Sequence, residues 1–367
     1  MSQHRQRSVG PDVVRCMALF CVVAVHFFLY TDFYDVIITG YPMLLLVLIR
    51  SALMVSVPLF LILSGYLLCK RMPTRDYYLR LLRILFVYVA ASILYSLFRI
   101  FLVGDRTLKD SLWGIFSFST LDYSWYIEMY LGLFLLIPYL NILYQVLTQK
   151  QKLGLIFSLA LLSSLPAVLN IHRFDFLPWW QQPSINTTYQ LLVPDWWYNL
   201  YPLAYYLIGC YLKEYPLRMK RSDILKLFFA FTCISGAFNY YRSQYSNFIW
   251  GLWQRTESPF IGIPAVLIFA FLVQGNYDGM DSSAKRVLAW VSDHSLGAYL
   301  ISQMYEEILY RMLPDILPIL KNPFLLFLVG APLVLAAALL TSWLIHWLYR
   351  LSVGRIVKKG IAQSPGQ

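Results

Sequence analysis

About ten apolar runs, each close to the length needed to cross a bilayer, divide this chain. The hydrocarbon core of a bilayer is roughly 30 Å thick, so a helix needs about 20 mainly apolar residues to cross it. Backbone groups inside the bilayer must bond one another, and a helix meets this need within one segment. We therefore expect helices near residues 12–30, 43–69, 79–103, 125–147, 152–170, 199–213, 224–240, 258–275, 286–309 and 323–349.

The composition agrees with a membrane protein and excludes an ordinary soluble domain. Of 367 residues, 59% are hydrophobic and only 13% are charged. The net charge of +11 would also suit nucleic-acid binding, but the basic residues lie in short segments between apolar runs, as topology signals do. The cysteines lack the paired spacing of a zinc site, and the histidines are not clustered. The sequence predicts an all-α polytopic membrane helical bundle in which residues 1–367 form one integral membrane domain, with a disordered tail at 358–367.

The basic residues also set the predicted orientation, because cytoplasmic loops of membrane proteins carry an excess of Lys and Arg. With the N-terminus inside, the basic segments after the second, fourth, sixth, eighth and tenth runs all fall in the cytoplasm. Both termini are therefore expected inside, and the long connection from Ile171 to Tyr198 outside. This connection contains Trp179, Trp180, Tyr189, Trp196 and Trp197. These rings suit either an interfacial belt, which we favour, or a stacking surface for sugars.

The first run, DVVRCMALFCVVAVHFFLY (Asp12 to Tyr30), holds three ionisable residues: Asp12, Arg15 and His26. A charged group in hydrocarbon costs roughly 2.5 to 3.5 kcal/mol even on lenient scales, so such residues usually face a protein interior or a watered cavity and mark candidate sites. The spacing of Arg15 and His26 corresponds to about three turns, which places both on one helix face about 16 Å apart, with Asp12 beside Arg15. Alternatively, Asp12 and Arg15 form an interfacial pair and His26 bonds a neighbouring helix.

These residues and the next run carry a resemblance to a known family. The first run has Asp12 near its start, then Arg15, ten intervening residues and His26. The next run contains LFLILSGYLL (Leu59 to Leu68). This order resembles the start of the acyltransferase-3 family of bacterial multispanning membrane acyltransferases. That family has an Arg-x10-His pair in its first helix and an F-F-x-x-S-G-F-like element in its second. LFLILSGYLL is a conservative variation of the second element.

Two later segments extend the resemblance along the chain. SWYIEMYLGLFLLIPYLN (Ser124 to Asn141) resembles the family's W-Y/F-L segment at the start of the fourth helix. VSDHSLGAYLISQ (Val291 to Gln303) resembles its S-F-G-I-Y-L-I-H element, but Ser302 replaces the final histidine, which leaves any role of that histidine open here. The resemblance implies acyl-coenzyme A, expected to be acetyl-CoA, as the donor. It implies a hydroxyl of a cell-surface polysaccharide or lipid-linked sugar as the acceptor.

A donor site is expected where basic residues concentrate after the second run. Family members are similar in having a basic R-x-x-R stretch there, and guanidinium groups suit the phosphates of coenzyme A through paired, charge-assisted bonds. The predicted donor-binding residues are Arg15, Arg71, Arg75, Arg80, Arg83 and Ser64. Alternatively, the basic cluster only enforces topology and contacts anionic lipid heads. The Ser64-Gly65 pair is more typical of close helix packing than of carbonyl binding.

Three residues are predicted to take part in the chemical step: His26, Arg15 and Glu128. A neutral imidazole can take the proton of an alcohol as the alcohol attacks a thioester. It can instead attack the thioester itself and form an acyl-enzyme, and the sequence leaves both routes open. Arg15 is expected beside the pantetheine or phosphate portion of the donor. Glu128 would bind a hydroxyl or orient His26, or it is only an interfacial carboxylate.

The sequence therefore predicts an O-acetyltransferase, which transfers a group other than an aminoacyl group, in the inner membrane of a bacterial cell. It is expected to act without a metal or nucleic acid and to contact membrane lipids, and its oligomeric state stays open. The main alternative is a transporter or exporter of a polysaccharide or small solute, because lone intramembrane charges also line permeation paths. No inverted repeat is visible in the sequence, which weighs against it. A scaffold subunit of a glycan assembly complex would need no catalytic His26.

Overall fold

The computed structural model describes residues 7–170 and 191–354, and these ranges are built from helices and short connections. The α-helices are α1 Val9–His26, α2 Gly40–Leu53, α3 Ser56–Leu68, α4 Arg75–Phe98, α5 Leu108–Phe116, α6 Ser124–Val146, α7 Gln149–Leu169, α8 Tyr201–Glu214, α9 Arg221–Ser243, α10 Pro259–Val273, α11 Ser282–Ile316 and α12 Pro323–Leu351. Extended pairing within these ranges is limited to an isolated bridge between Ile38 and Gln244. The all-α prediction is confirmed. The predictions for Trp179, Trp180, Tyr189 and the tail at 358–367 lie outside the described residues.

Eight helical stretches of the described chain are long and apolar enough to cross a membrane, which confirms the polytopic membrane class. They are Val9–Leu29, Gly40–Leu68, Arg75–Val103, Ser124–Val146, Gln149–Leu169, Arg221–Ser243, Leu252–Val273 and Pro323–Leu351. The sixth predicted run coincides with α8, which has only 14 residues. The ninth coincides with α11, which has 35 residues but is too polar to be counted among the eight candidate membrane spans. The count of ten spans and the cytoplasmic placement of both termini stay predictions.

The second predicted run, residues 43–69, forms two helices rather than one. Helix α2 ends at Leu53, and α3 begins at Ser56. Pro58 lies in the first turn of α3, where its missing N–H and its ring prevent the hydrogen bond that would continue α2 into α3. It also restricts the backbone of the residue before it. Because both sides of the break are equally apolar, the hydrophobic pattern alone gives no sign of it.

The helices fall into two compact units. Unit 1 comprises residues 1–69 and 147–289, and unit 2 comprises residues 70–146 and 290–367. Unit 1 therefore contains α1 to α3, α7 to α10 and the first residues of α11. Unit 2 contains α4 to α6, α12 and the rest of α11. The assignment of residues 1–367 to a single domain stays a prediction.

In unit 1, two glycines let α3 and α8 pack backbone against backbone. A Cβ atom on Gly65 would lie 1.8 Å from the carbonyl oxygen of Tyr206, and one on Gly209 would lie 2.0 Å from the carbonyl oxygen of Ile62. The buried Cys210 thiol also donates to the carbonyl oxygen of Gly65, at 3.5 Å. Small residues at such crossings allow membrane helices to approach closely. Gly65 therefore serves packing.

In unit 2, buried tyrosines tie α4 to its neighbours. The Tyr77 hydroxyl donates to the carbonyl oxygen of Phe134 in α6 at 2.6 Å, and the two rings stack with centroids 4.3 Å apart. The Tyr88 hydroxyl donates to the carbonyl oxygen of Ile115 in α5 at 2.8 Å. Polar groups in a membrane interior need such partners, because neither lipid nor water supplies them there. The bond from Tyr77 lies at the start of α4, where the predicted donor arginines also lie.

Candidate functional site

Helix α1 carries two of the predicted site residues, Arg15 and His26, without interruption. The helix runs from Val9 to His26, so the predicted spacing of about three turns holds. Both side chains are partly exposed. His26 is the last residue of α1 and is followed directly by the 3-10 turn Phe27–Leu29. The helix thus presents a guanidinium in its first half and an imidazole at its end.

Asp12, the third ionisable residue of α1, is buried and bound by Arg7. The Nε atom of Arg7 donates to Oδ2 and its Nη2 atom donates to Oδ1, both at 2.6 Å. The same Nη2 lies 3.4 Å from the carbonyl oxygen of Ala289 in α11. Paired charge-assisted bonds of this kind are among the strongest in proteins. Arg7 precedes α1, so no helical spacing in the sequence predicts this partner.

The predicted donor arginines, Arg71, Arg75, Arg80 and Arg83, lie around the start of α4, and all four are exposed. The Thr74 side chain caps this helix. The N-terminus of a helix carries a partial positive charge, which adds to that of the guanidinium groups. These arginines and the start of α4 therefore give unit 2 an exposed, positively charged region.

Two contacts hold this basic region in place. Asn141, fully buried in α6, donates from Nδ2 to the backbone carbonyl oxygen of Arg71 at 2.8 Å. Arg83 Nη2 donates to the carbonyl oxygen of Asp293 in α11 at 3.0 Å. The first contact fixes the connection before α4, and the second leaves most donors of the Arg83 guanidinium for other partners.

The remaining predicted residues belong to helices of different units. The Ser64 hydroxyl donates to the carbonyl oxygen of Phe60 at 2.9 Å, a bond within α3. Glu128 is exposed and lies just after the start of α6. Ser64, Arg15 and His26 belong to unit 1, whereas Glu128 belongs to unit 2 with the four donor arginines.

Sequence reasoning missed a polar cluster in unit 2 that joins α4 to α11. The Tyr95 hydroxyl donates to Glu307 Oε1 at 2.6 Å, and Arg99 Nη1 donates to Glu307 Oε2 at 3.1 Å. Gln303 Nε2 donates to the Tyr95 hydroxyl at 3.1 Å and to Asp122 Oδ2 at 2.8 Å. Because each member bonds at least one other, the network holds its side chains in fixed positions.

Glu306, the neighbour of Glu307 in α11, is fully buried. It accepts a hydrogen bond from the Tyr123 hydroxyl, and the Tyr299 hydroxyl donates to the carbonyl oxygen of Tyr123 at 2.8 Å. The sequence does contain a signal for Glu306 and Glu307. Two adjacent carboxylates inside an apolar run are costly to place in a membrane, and the same cost marked His26 as a candidate site residue.

Two histidines of unit 2 were also missed. The rings of His294 in α11 and His346 in α12 lie with centroids 4.9 Å apart. Nδ1 of His294 is 2.6 Å from the carbonyl oxygen of Trp290, and Nδ1 of His346 is 2.9 Å from that of Ser342. A ring nitrogen that faces a carbonyl oxygen carries a proton, so Nδ1 is a hydrogen-bond donor in both rings. Within residues 7–170 and 191–354, no group of three or more His, Cys, Asp and Glu side chains could hold a metal ion.

Comparison with known proteins identifies the family. A sequence profile of acyltransferase-3 type, described as Acyltransferase domain, matches residues 8–347. The chain belongs to the acyltransferase-3 family. It is therefore an acyltransferase, and its apolar helices make it a multi-pass membrane protein. No curated protein and no solved structure gives a significant match.

Membership confirms the family resemblance and favours an enzyme over a transporter or a scaffold subunit. The match covers almost the whole chain, including α1 and the start of α4. The individual roles of His26, Arg15, Ser64 and Glu128 stay predictions.

The acyltransferase also contains a fully buried arginine, Arg50 in α2 of unit 1. Its Nε donates to the Tyr34 hydroxyl at 2.9 Å, and its Nη1 donates to Gln254 Oε1 at 3.0 Å. The guanidinium carbon lies 4.3 Å from the ring centre of Trp250 and 4.5 Å from that of Phe248. Its Nη2 has no hydrogen-bond partner among the residues that the structure describes.

The contacts of Arg50 compensate only part of the cost of its burial. Burying an unpaired ion costs several kcal/mol, and a desolvated cation over an aromatic ring regains about 2 kcal/mol. No carboxylate pairs with Arg50 in the described parts of the chain. Burial raises the pKa of Tyr34, despite the opposing effect of Arg50, so this phenol is neutral and supplies no counter-charge. Arg50 thus keeps a net positive charge without an anion.

Proposed function

We propose that this acyltransferase moves an acyl group, expected to be acetyl, from cytoplasmic acyl-coenzyme A to a hydroxyl of a surface polysaccharide or lipid-linked sugar in the inner membrane of a bacterial cell. The observation that supports this proposal is the unbroken helix α1, on which Arg15 and His26 are both accessible. Coenzyme A thioesters are long molecules with phosphates at one end and the reactive carbonyl at the other. A wall with a cation in one half and a base at its end suits such a donor.

His26 is proposed to act as the general base. It takes the proton from the acceptor hydroxyl while the hydroxyl oxygen attacks the thioester carbonyl. A carbon–oxygen bond forms, the carbon–sulfur bond breaks, and the coenzyme A thiolate leaves and takes up a proton. The acyl-enzyme route, in which a ring nitrogen of His26 attacks the carbonyl first, yields the same products.

The exposed arginines of unit 2 are proposed to bind the donor phosphates. Four guanidinium groups and the start of α4 give this region the charge and the number of donors that a diphosphate and a ribose phosphate require. Arg15 and Glu128 are kept as separate candidates, the first for the donor and the second for the acceptor hydroxyl.

Coenzyme A release by the purified full-length protein in lipid nanodiscs tests this function. Acetyl-, propionyl- and succinyl-coenzyme A are offered with a panel of envelope glycans, and the free thiol and the acylated glycan are both measured. We expect thiol release that depends on the glycan and matches the acylated product in amount. Glycan-independent hydrolysis alone, or no release from any donor by protein that binds acyl-coenzyme A, would overturn the proposal.

A further inference from the structure

The buried guanidinium of Arg50 is oriented as in an anion-binding site, but no anionic group of the described chain contacts it. Its Nε donates to Tyr34 and its Nη1 donates to Gln254, so these two bonds hold the guanidinium plane in one orientation. The Nη2 donor has no partner in the described chain, and no carboxylate neutralises the group. Guanidinium groups bind carboxylates and phosphates through such remaining donors. An oxyanion would therefore suit both the remaining donor and the charge.

The cover over Arg50 consists of loops rather than helices. Tyr34 and Trp250 lie on irregular segments, residues 30–39 and 244–251, and their ring centres are 5.3 Å apart. Trp250 is 51% exposed, although its ring centre lies 4.3 Å from the guanidinium carbon of Arg50. One of the rings over the cation therefore belongs to an exposed loop residue rather than to a packed helix. An exposed indole beside a cation also suits a sugar ring that bears an acidic group.

Arg50 lies at the end of α1 that carries His26. Phe28, two residues after His26, contacts the ring of Phe33 with centroids 4.8 Å apart, and Phe33 contacts Phe248 at 5.3 Å. Phe248 in turn lies against the Arg50 guanidinium. A continuous aromatic cluster within unit 1 therefore runs from Phe28, two residues after the candidate base, to the unneutralised cation.

We propose that Arg50 binds a carboxylate or phosphate group of the acceptor, so that the acceptor is an acidic or phosphorylated sugar. This inference rests on the proposed function, because it takes His26 as the group that activates the acceptor hydroxyl. The donor is the less suitable source of the anion, since its phosphates already have the exposed arginines of unit 2. The arginine holds the acid group while the neighbouring hydroxyl is presented for transfer.

Thermal unfolding of the purified full-length protein tests the inference without any need for turnover. Methyl glucuronide serves as the probe for a sugar carboxylate, and inorganic phosphate as the probe for a phosphate group. Methyl glucoside is the neutral control for methyl glucuronide. The variants are R50Q, which removes the charge, and R50K, which keeps it. R242Q is the matched control, because Arg242 is also buried in unit 1 and lies 5.5 Å from an indole ring, that of Trp253.

We expect methyl glucuronide or phosphate to raise the Tm of wild type and R242Q by a few degrees, as a ligand of the native state does. The neutral glucoside should have no effect. R50Q should lose the shift, and R50K should keep part of it. A shift with glucuronide alone assigns an acidic sugar, and a shift with phosphate alone assigns a phosphorylated one.

Three results would overturn the inference: no shift with either anion, an equal shift with the glucoside, or an unchanged shift in R50Q. The proposed function fails separately. An Arg50-dependent shift in a protein that transfers no acyl group would reject the transferase assignment alone, whereas transfer to neutral sugars at the same rate in wild type and R50Q would reject the anion site alone.

Discussion

Arg7 holds the carboxylate of Asp12 with two hydrogen bonds of 2.6 Å, one from Nε and one from Nη2. The two partners are unequal in exposure, since the Asp12 side chain is 7% exposed and that of Arg7 is 46% exposed. Without the bond, Arg7 would still reach water, whereas Asp12 would keep a buried charge without its main donor. The pair therefore stabilises the start of α1 chiefly by compensating Asp12.

Arg7→Gln should accordingly destabilise the acyltransferase more than Asp12→Asn. The first change leaves the buried carboxylate without its guanidinium, at a cost of about 1–3 kcal/mol, while the second removes the charge that needs compensation. Thermal unfolding of the two variants in detergent gives the order of their Tm values. A lower Tm for Asp12→Asn than for Arg7→Gln would contradict this account.

Gly65→Ala should severely impair folding, because the new methyl group would lie 1.8 Å from the Tyr206 carbonyl oxygen and would force α3 and α8 apart. Gly154→Ala in α7 is the matched control, since no atom lies within 4 Å of its added Cβ. Alanine favours a helix over glycine by about 1 kcal/mol, so the control should be neutral or slightly more stable. The yield of monodisperse protein in detergent measures both effects. Equal yields for the two variants would show that the close crossing does not limit packing.

The orientation in the membrane is predicted from the basic residues, with both termini inside. A single cysteine introduced at Ser184, in a cysteine-free background, should react with a membrane-impermeant reagent in intact cells. A cysteine at Ser364 should react only after the cells are opened. The reverse pattern would place the basic loops outside and invert every site assignment that depends on them.

The sequence predicts the helices well because bilayer thickness and backbone hydrogen bonding act on each run by itself. It misses the break between Leu53 and Ser56, where Pro58 interrupts an apolar run without changing its hydropathy. It also gives no measure of how far α11 extends, since its polar residues are stabilised by bonds to α4.

The candidate site is less accessible to sequence reasoning, because its partners are distant in the chain. Arg50 and Glu306 are visible as ionisable residues inside apolar runs, and the cost of burying them marks both. Their environments are not visible. Tyr34 reaches Arg50 from an irregular segment and Gln254 reaches it from the 3-10 helix Leu252–Gln254, and nothing in the spacing of these residues indicates that they meet.

Arg71→Ala, Arg80→Ala and Arg83→Ala should each weaken the binding of acyl-coenzyme A and leave acceptor recognition largely intact. A hydrogen bond to a charged group contributes about 1.5–3 kcal/mol, so the KM for the donor should rise at least tenfold while kcat changes little. Steady-state kinetics on purified variants measures this.

Lys226→Ala is the control for a general loss of positive charge, since Lys226 is an exposed basic residue of α9 in unit 1. It should leave the donor KM unchanged. If the three arginine variants match wild type as closely as this control does, the cluster serves topology or lipid contact, and the donor phosphates bind elsewhere.

His26→Gln should abolish transfer yet leave expression, folding and donor binding near wild type. Glutamine keeps the hydrogen-bonding capacity of the imidazole but has no basicity, so it cannot take the proton of the attacking hydroxyl. Loss of a general base typically lowers the rate by about 10² to 10⁴. His26→Ala should show the same loss in kcat, because His26 is proposed to act on the acceptor proton rather than to hold coenzyme A.

Met17→Gln provides the matched control, because it introduces the same amide at an exposed position of the same helix. It should transfer acyl groups at nearly the wild-type rate, which separates the loss of a base from the disturbance of α1 by a polar side chain. Binding of radiolabelled acetyl-coenzyme A to each variant shows whether the donor site is intact. Full activity in His26→Gln, with normal donor binding, would remove His26 from the chemical step and make it a packed polar residue at the end of α1.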